Sequence, residues 1–118
     1  MQDSQAIRDA ALDYIEGWYS ADASRMDRAL SPHLAKRRIV SAAEVWHVDK
    51  DWMIEATAAG KGEIDNPSQG KKDIIVLDQT ETMATVKIMS DQFTDYLHLS
   101  KSGGQWRIVN ALWDYREE

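Results

Sequence analysis

Residues 93–115, FTDYLHLSKSGGQWRIVNALWDY, constrain the fold more than any other part of this chain. Two long stretches of alternating apolar and polar residues are split by Gly103-Gly104, the pattern of a β-hairpin. Side chains along a strand point to opposite faces with period two, so Phe93, Leu97 and Leu99 share a face and Asp95 lies on it with them. The same alternation places Asn110 with Trp106, Ile108 and Leu112. A polar group on a buried face costs free energy unless it is paired, so Asp95 and Asn110 are the first candidates for ligand contact or chemistry. A two-residue loop at Ser102-Gly103 sets Asp95 opposite Asn110. A loop at Gly103-Gly104 sets Asp95 opposite Leu112 and Asn110 across from Leu97, and a three-residue loop pairs Leu97 with Val109. Leu–Ile and Leu–Trp pairing favours the two-residue loops. Burial raises a carboxyl pKa and poises Asp95 as a general acid or base, while a hydrogen bond from Asn110 to the ionised form pulls it back. The competing reading is that the two groups satisfy each other, or that Asp95 caps backbone groups at a bend in the sheet.

Upstream of the hairpin the period is helical. Ser4 or Asp3 can cap a helix whose apolar stripe is Ile7, Ala11, Tyr14, Ile15 and Trp18. Asp22 caps a short second helix carrying Ala23, Met26, Ala29 and Leu30, and Pro32 pushes Ser31 out of the helical region and ends it. Residues 35–41 read as a short strand, and 42–48 receive no assignment. Asp49 or Asp51 opens a third helix with Trp52, Met53, Ala56 and Ala59, stopped by Gly60 and Gly62. Residues 63–70 hold a cluster of turn formers. The period then changes to two, with strands at 73–78 and 82–89 preceding the hairpin. Helices followed by a four-stranded antiparallel meander give an α+β domain spanning residues 1–118, with the helices on one face of the sheet.

Composition narrows the partners. With 14 basic against 20 acidic residues the surface repels a polyanion, so nucleic acid is not expected. No stretch reaches the roughly 18 apolar residues of a membrane span, and the N-terminal residues lack a charged leader, which reads as a soluble cytoplasmic protein. Cys is absent, which removes thiolate chemistry and cysteine metal clusters. His33, His47 and His98 lack metal-type spacing, so neither a metal nor a cofactor is expected. Of the three, His47 beside Trp46 is placed at a pocket mouth and His98 faces away from the helices. Five Trp against one Phe supply large aromatics with a polar edge, suited to pocket walls or to filling a small core. Tyr14 and Trp18, four apart on the first helix, share a face, and the phenol can orient a ligand or donate to a developing oxyanion. Lys36-Arg37-Arg38 reads as an anion contact or as a charge-protected strand edge.

The stretches AIRDAALDYIEGWYSADASRMDRALSPHLAKRR and FTDYLHLSKSGGQWRIVNALW, with a Trp-bearing third helix between them, resemble the nuclear transport factor 2-like superfamily. Within it they are similar to the small bacterial, SnoaL-like branch labelled "putative lumazine-binding". The resemblance covers nearly the whole chain. It implies a cone-shaped α+β fold in which three N-terminal helices pack on a strongly curved antiparallel sheet around a cavity, with dimerisation through the sheet's outer side. It also implies several functions, since the superfamily holds ketosteroid isomerase, scytalone dehydratase, polyketide cyclases and inert adaptors on one scaffold. Isomerase-like members use a Tyr on the first helix and acids on the sheet, places that Tyr14 and Asp95 match.

Three hypotheses follow. The first is a small-molecule pocket lined by Tyr14, Trp18, His47, Trp52, Asp95 and Asn110. The second is an isomerase-, cyclase- or dehydratase-like enzyme with Asp95 as general acid or base and Tyr14 or Asn110 polarising a carbonyl. The third is a homodimeric adaptor whose outer sheet face, formed by Thr94, Tyr96, His98, Arg107, Val109, Ala111 and Trp113, carries the function.

Overall fold

Three helices lie against a curved, unclosed six-stranded sheet in the computed structural model, which describes residues 3–117. The first helix, α1 (Ser4–Ser20), turns Ile7, Ala11, Tyr14 and Ile15 to the interior. Asp3 occupies its N-cap without a side-chain capping bond, because its carboxylate is engaged elsewhere. Asp3 Oδ2 accepts from Lys101 Nζ at 2.8 Å and from Trp106 Nε1 at 3.0 Å. Asp22 caps α2 (Ala23–Ala29) by accepting from the Arg25 N–H, and Asp49 caps α3 (Lys50–Ala58) by accepting from the Trp52 N–H. Arg25 and Arg28 both reach Asp13 on α1, pinning the first two helices together.

The strands are β1 (Leu30–Ser41), β2 (Glu44–Val48), β3 (Lys72–Gln79), β4 (Met83–Ser90), β5 (Phe93–Ser102) and β6 (Gln105–Tyr115), in the sheet order β2-β1-β6-β5-β4-β3. The expected meander is β3 to β6. Two further strands extend it, and β1 runs parallel to β6, so the sheet is mixed rather than wholly antiparallel. Leu30 belongs to β1 and not to the second helix. Pro32 does not end that helix, which stops at Ala29; it sits in the irregular stretch of β1 where the pairing with β6 shifts, a place where its missing N–H breaks no regular ladder. The unassigned segment before α3 holds β2, paired antiparallel to β1.

Ala84, Val86 and Ile88 of β4, Leu97 and Leu99 of β5, and Trp106, Ile108 and Ala111 of β6 pack against the buried faces of α1 and α2. Fully burying an Ile or Leu such as Ile7, Leu97 or Ile108 contributes about 1.5–3 kcal/mol each, which makes this cluster the principal source of stability.

The β5–β6 hairpin turns through Gly103 and Gly104 at φ of 59° and 79°, and Ser102 faces Gln105 across a two-residue loop. Both values lie in the left-handed region that this turn requires and that Gly adopts without a Cβ penalty. From there Lys101 pairs with Trp106 and Leu99 with Ile108. The register then shifts: His98 pairs with Asn110, Leu97 with Ala111 and Asp95 with Trp113, so Val109 is the extra residue of a β-bulge. A bulge reverses the facing of every residue beyond it and bends the strand.

Candidate functional site

The bulge decides which side chains meet at the open end of the sheet. Before it, Trp106 and Ile108 face inward; after it, Ala111 and Trp113 do, while Asn110 and Leu112 turn to solvent. Asn110 therefore leaves the position that uninterrupted alternation gives it, and its amide lies 3.2 Å from His98 Nδ1 on the outer face. Ala111 and Trp113 in turn leave the expected outer face and are buried. The sequence masks the change of parity from 106 and 108 to 111 and 113, because Val109 and Leu112 between them are apolar as well.

Asp95 remains inside, 4 % exposed, on the concave face of β5. Tyr14 of α1, equally buried, donates its phenolic hydrogen to Asp95 Oδ2 at 2.8 Å. The third member is Lys36 of β1, whose Nζ donates to the Tyr14 oxygen at 2.6 Å. It shares the inward face of β1 with Leu34, two residues earlier and buried, while Arg37 is exposed. Lys36 Nζ also stands 5.0 Å from the Tyr14 ring centre and 5.7 Å from that of Trp113, within cation–π range. The result is a chain of three groups, amine to phenol to carboxyl, drawn from three separate elements.

Burial sets the electrostatics of this chain. It pushes the Asp95 carboxyl above the ordinary range, with the Lys36 charge and the Tyr14 hydrogen bond pulling back. It also holds the Lys36 amine below the ordinary lysine range, with the Asp95 charge opposing. The Tyr14 phenol is held well above its usual value by burial, then by the negative charge of Asp95 and the bond made to it. Burial thus favours the neutral forms of both end groups, and the phenol between them remains a proton carrier.

A cavity of about 180 Å³ opens beside the chain, lined by Tyr14, Lys36 and Asp95 together with Ile15, Trp18, Trp46, Trp52, Lys61, Phe93, Trp113 and Tyr115. Its aromatic wall is continuous. Trp46 meets Trp52 edge-on at 5.0 Å and Trp113 at 5.6 Å, and Trp113 meets Phe93 at 5.1 Å and Tyr115 at 5.4 Å. The Trp113 indole N–H is buried without a hydrogen-bond partner among the described residues. Of the residues expected at the pocket, Tyr14, Trp18, Trp52 and Asp95 come together here. His47 does not: it is exposed on β2, paired with Arg37, because Val48, one residue on, takes the inward position. Lys36, expected as an anion contact or strand-edge charge, Trp113, expected on the outer face, and Trp46, Phe93 and Tyr115 also line the cavity, none of them having been named as pocket residues from sequence.

Comparison with known proteins places the fold. The family model described as "Putative lumazine-binding" matches residues 2–114. Among solved structures, an NTF2-like protein of unknown function from Silicibacter pomeroyi superposes with a TM-score of 0.82 at 16% identity, covering 98% of this chain and 97% of that one. Another of unknown function, from Shewanella baltica, gives 0.78 at 21% identity, covering 99% and 96%. A ketosteroid isomerase-like protein from Erwinia carotovora atroseptica gives 0.72 at 14% identity, covering 99% and 98%. At such identities the likeness is one of fold. No curated protein matches the chain. The chain belongs to the family described as "Putative lumazine-binding", built on the nuclear transport factor 2-like fold.

Proposed function

We propose that the chain binds a compact, partly apolar small molecule in the cavity between α1, α3 and the curved sheet. The observation that carries this reading is the Lys36–Tyr14–Asp95 chain set within an aromatic wall. A core that only needed filling would not hold three polar groups there, since each costs free energy to bury. The cavity volume argues for a small ligand: drug-sized molecules occupy pockets of about 300–1,000 Å³, whereas about 150 Å³ accommodates a benzene ring. One flat ring between the tryptophans, with an acceptor group turned to Lys36 and Tyr14, fits both size and chemistry. A thermal-shift screen of monocyclic ketones, enones and aromatic acids, with lumazine included because the family description names it, tests this directly. A stabilising compound whose effect is lost in Trp113→Ala supports the pocket, and a screen with no hit removes it.

A second reading makes the site catalytic, with Asp95 as general acid or base and Tyr14 hydrogen-bonded to the carbonyl of the substrate. Asp95 lines the cavity with its pKa moved toward the working range, the condition that proton transfer at carbon requires. Once a ligand is in hand, Asp95→Asn separates the two readings. Loss of turnover by about two to four orders of magnitude with affinity kept marks catalysis, and loss of affinity alone marks binding.

A homodimer through the outer sheet face accompanies both. Tyr96 and Leu112 pair directly across β5 and β6 and are 45% and 52% exposed, an apolar centre that a second copy would cover.

A further inference from the structure

Two half-buried lysines, Lys36 and Lys87, make no ion pair among the described residues, and of these two it is Lys36 that lines the cavity. Lys50, Lys72 and Lys101 each hold a carboxylate within 3.1 Å, at Asp27, Glu16 and Asp3. Among the described residues Lys36 makes no such pair; its one hydrogen bond goes to the Tyr14 oxygen, and its amine lines the cavity. A carboxylate ligand would meet the Asp95 charge in the same space. A neutral carbonyl compound would not.

We propose that Lys36 captures a compact aromatic aldehyde or ketone as a reversible imine, with Tyr14 and Asp95 moving the protons. The inference rests on the small-molecule reading and names its ligand class. Transfer of a proton from the Lys36 ammonium through the Tyr14 hydroxyl to Asp95 leaves a neutral amine and a neutral carboxyl, the forms that burial favours at both ends. The amine lone pair then attacks the carbonyl carbon, forming the C–N bond as the C=O π pair moves to oxygen. Oxygen gains a proton and nitrogen loses one, giving a carbinolamine. The hydroxyl departs as water with the proton returned from Asp95 by way of Tyr14, and the nitrogen lone pair closes the C=N bond, leaving a protonated imine beside the Asp95 carboxylate. Carbonyl and ammonium thus become protonated imine and water, with no co-reactant, and hydrolysis reverses each step.

The test uses the whole protein, benzaldehyde as probe and cyanoborohydride to reduce any imine to a stable benzylamine, located by peptide mapping. A single benzyl group on Lys36 is expected, with Lys61, the exposed lysine that also lines the cavity, and the half-buried Lys87 largely unmodified. Lys36→Arg, which keeps the charge and cannot form an imine, should lose the adduct while retaining its helical and sheet spectrum. Tyr14→Phe should slow trapping by about two orders of magnitude, the lower end of general acid–base contributions. Binding is read separately from the melting temperature in benzyl alcohol, which has the same ring and no carbonyl. A melting rise without a Lys36 adduct overturns imine formation and leaves the pocket. Neither signal overturns both, and labelling spread evenly over the lysines overturns the special role of Lys36.

Discussion

The Tyr14 hydroxyl and the Asp95 carboxyl, 81 residues apart in sequence, meet at 2.8 Å between the first helix and the fifth strand. That bond, with Lys36 donating to the same phenol, holds a buried amine and a buried acid at one remove from each other. Tyr14→Phe should therefore cost about 1–3 kcal/mol, the usual penalty for leaving buried polar groups unsatisfied, because it leaves both ends without their partner. Urea unfolding at neutral pH checks this, and a loss under 0.5 kcal/mol would show that the bridge contributes little.

Asp95 also predicts a pH dependence. Its pKa is raised in the folded protein, so the native state binds more protons than the unfolded chain and stability falls as pH rises from the ordinary carboxylate value through the folded one. Asp95→Asn lacks this penalty. Its stability relative to wild type should increase over that same pH interval and level off above it, measured as the difference between paired denaturation curves. A difference that is flat with pH would mean that the carboxyl titrates normally.

Asn110 and His47 offer the contrasting case. Both are exposed on the outer surface, so Asn110→Ala and His47→Ala should each change stability by no more than about 0.5 kcal/mol and leave ligand binding as it was. Loss of binding in either variant would contradict the placement of Val109 as the extra residue of the β6 bulge or of His47 on the outward face of β2.

Gly62 tests the wall of the cavity from outside. A Cβ at this position would fall 2.1 Å from the Trp18 indole. Gly62→Ala must displace either the loop after α3 or the Trp18 ring, and a cost of about 1–3 kcal/mol is expected from such overpacking. Thermal unfolding and the tryptophan emission of the folded state report the two effects.

For the outer face, light scattering at micromolar concentration should give twice 13.4 kDa for the wild type. Leu112→Lys, placed beside Arg37 and across from Tyr96, should yield 13.4 kDa by adding a like charge to the centre of the patch. A wild-type monomer would remove the dimer.

Asp95 was legible in the sequence because its neighbours Phe93, Leu97 and Leu99 define an unbroken apolar face, and local alternation needs no knowledge of the rest of the fold. The same rule misplaced Asn110, Ala111 and Trp113. Their facing depends on a bulge between strands, and a single residue of slip inverts every side chain beyond it. Lys36 was hidden by its neighbours: in a run of three basic residues, charge reads as surface, and only the long-range pairing of β1 with β6 carries that position over the cavity. Caps and turns at Asp22, Asp49 and Gly103-Gly104 followed from local chemistry, whereas the parallel strand did not, because its partner lies more than seventy residues away.

The carboxylate of Asp3 has a consequence for the order of assembly. Its bonds to Lys101 and Trp106 join positions 98 and 103 residues apart. Contacts of such span carry the largest loop-closure cost and form late. Helix α1 can meet α2 and the β3–β4 hairpin without them, so these two bonds to the β5–β6 hairpin are the part of its docking that waits longest. If so, Asp3→Ala should hasten unfolding in stopped-flow experiments while leaving the refolding rate nearly unchanged, since the bond it removes is absent from the transition state. The start of α1 is then a clasp fastened after the rest is in place.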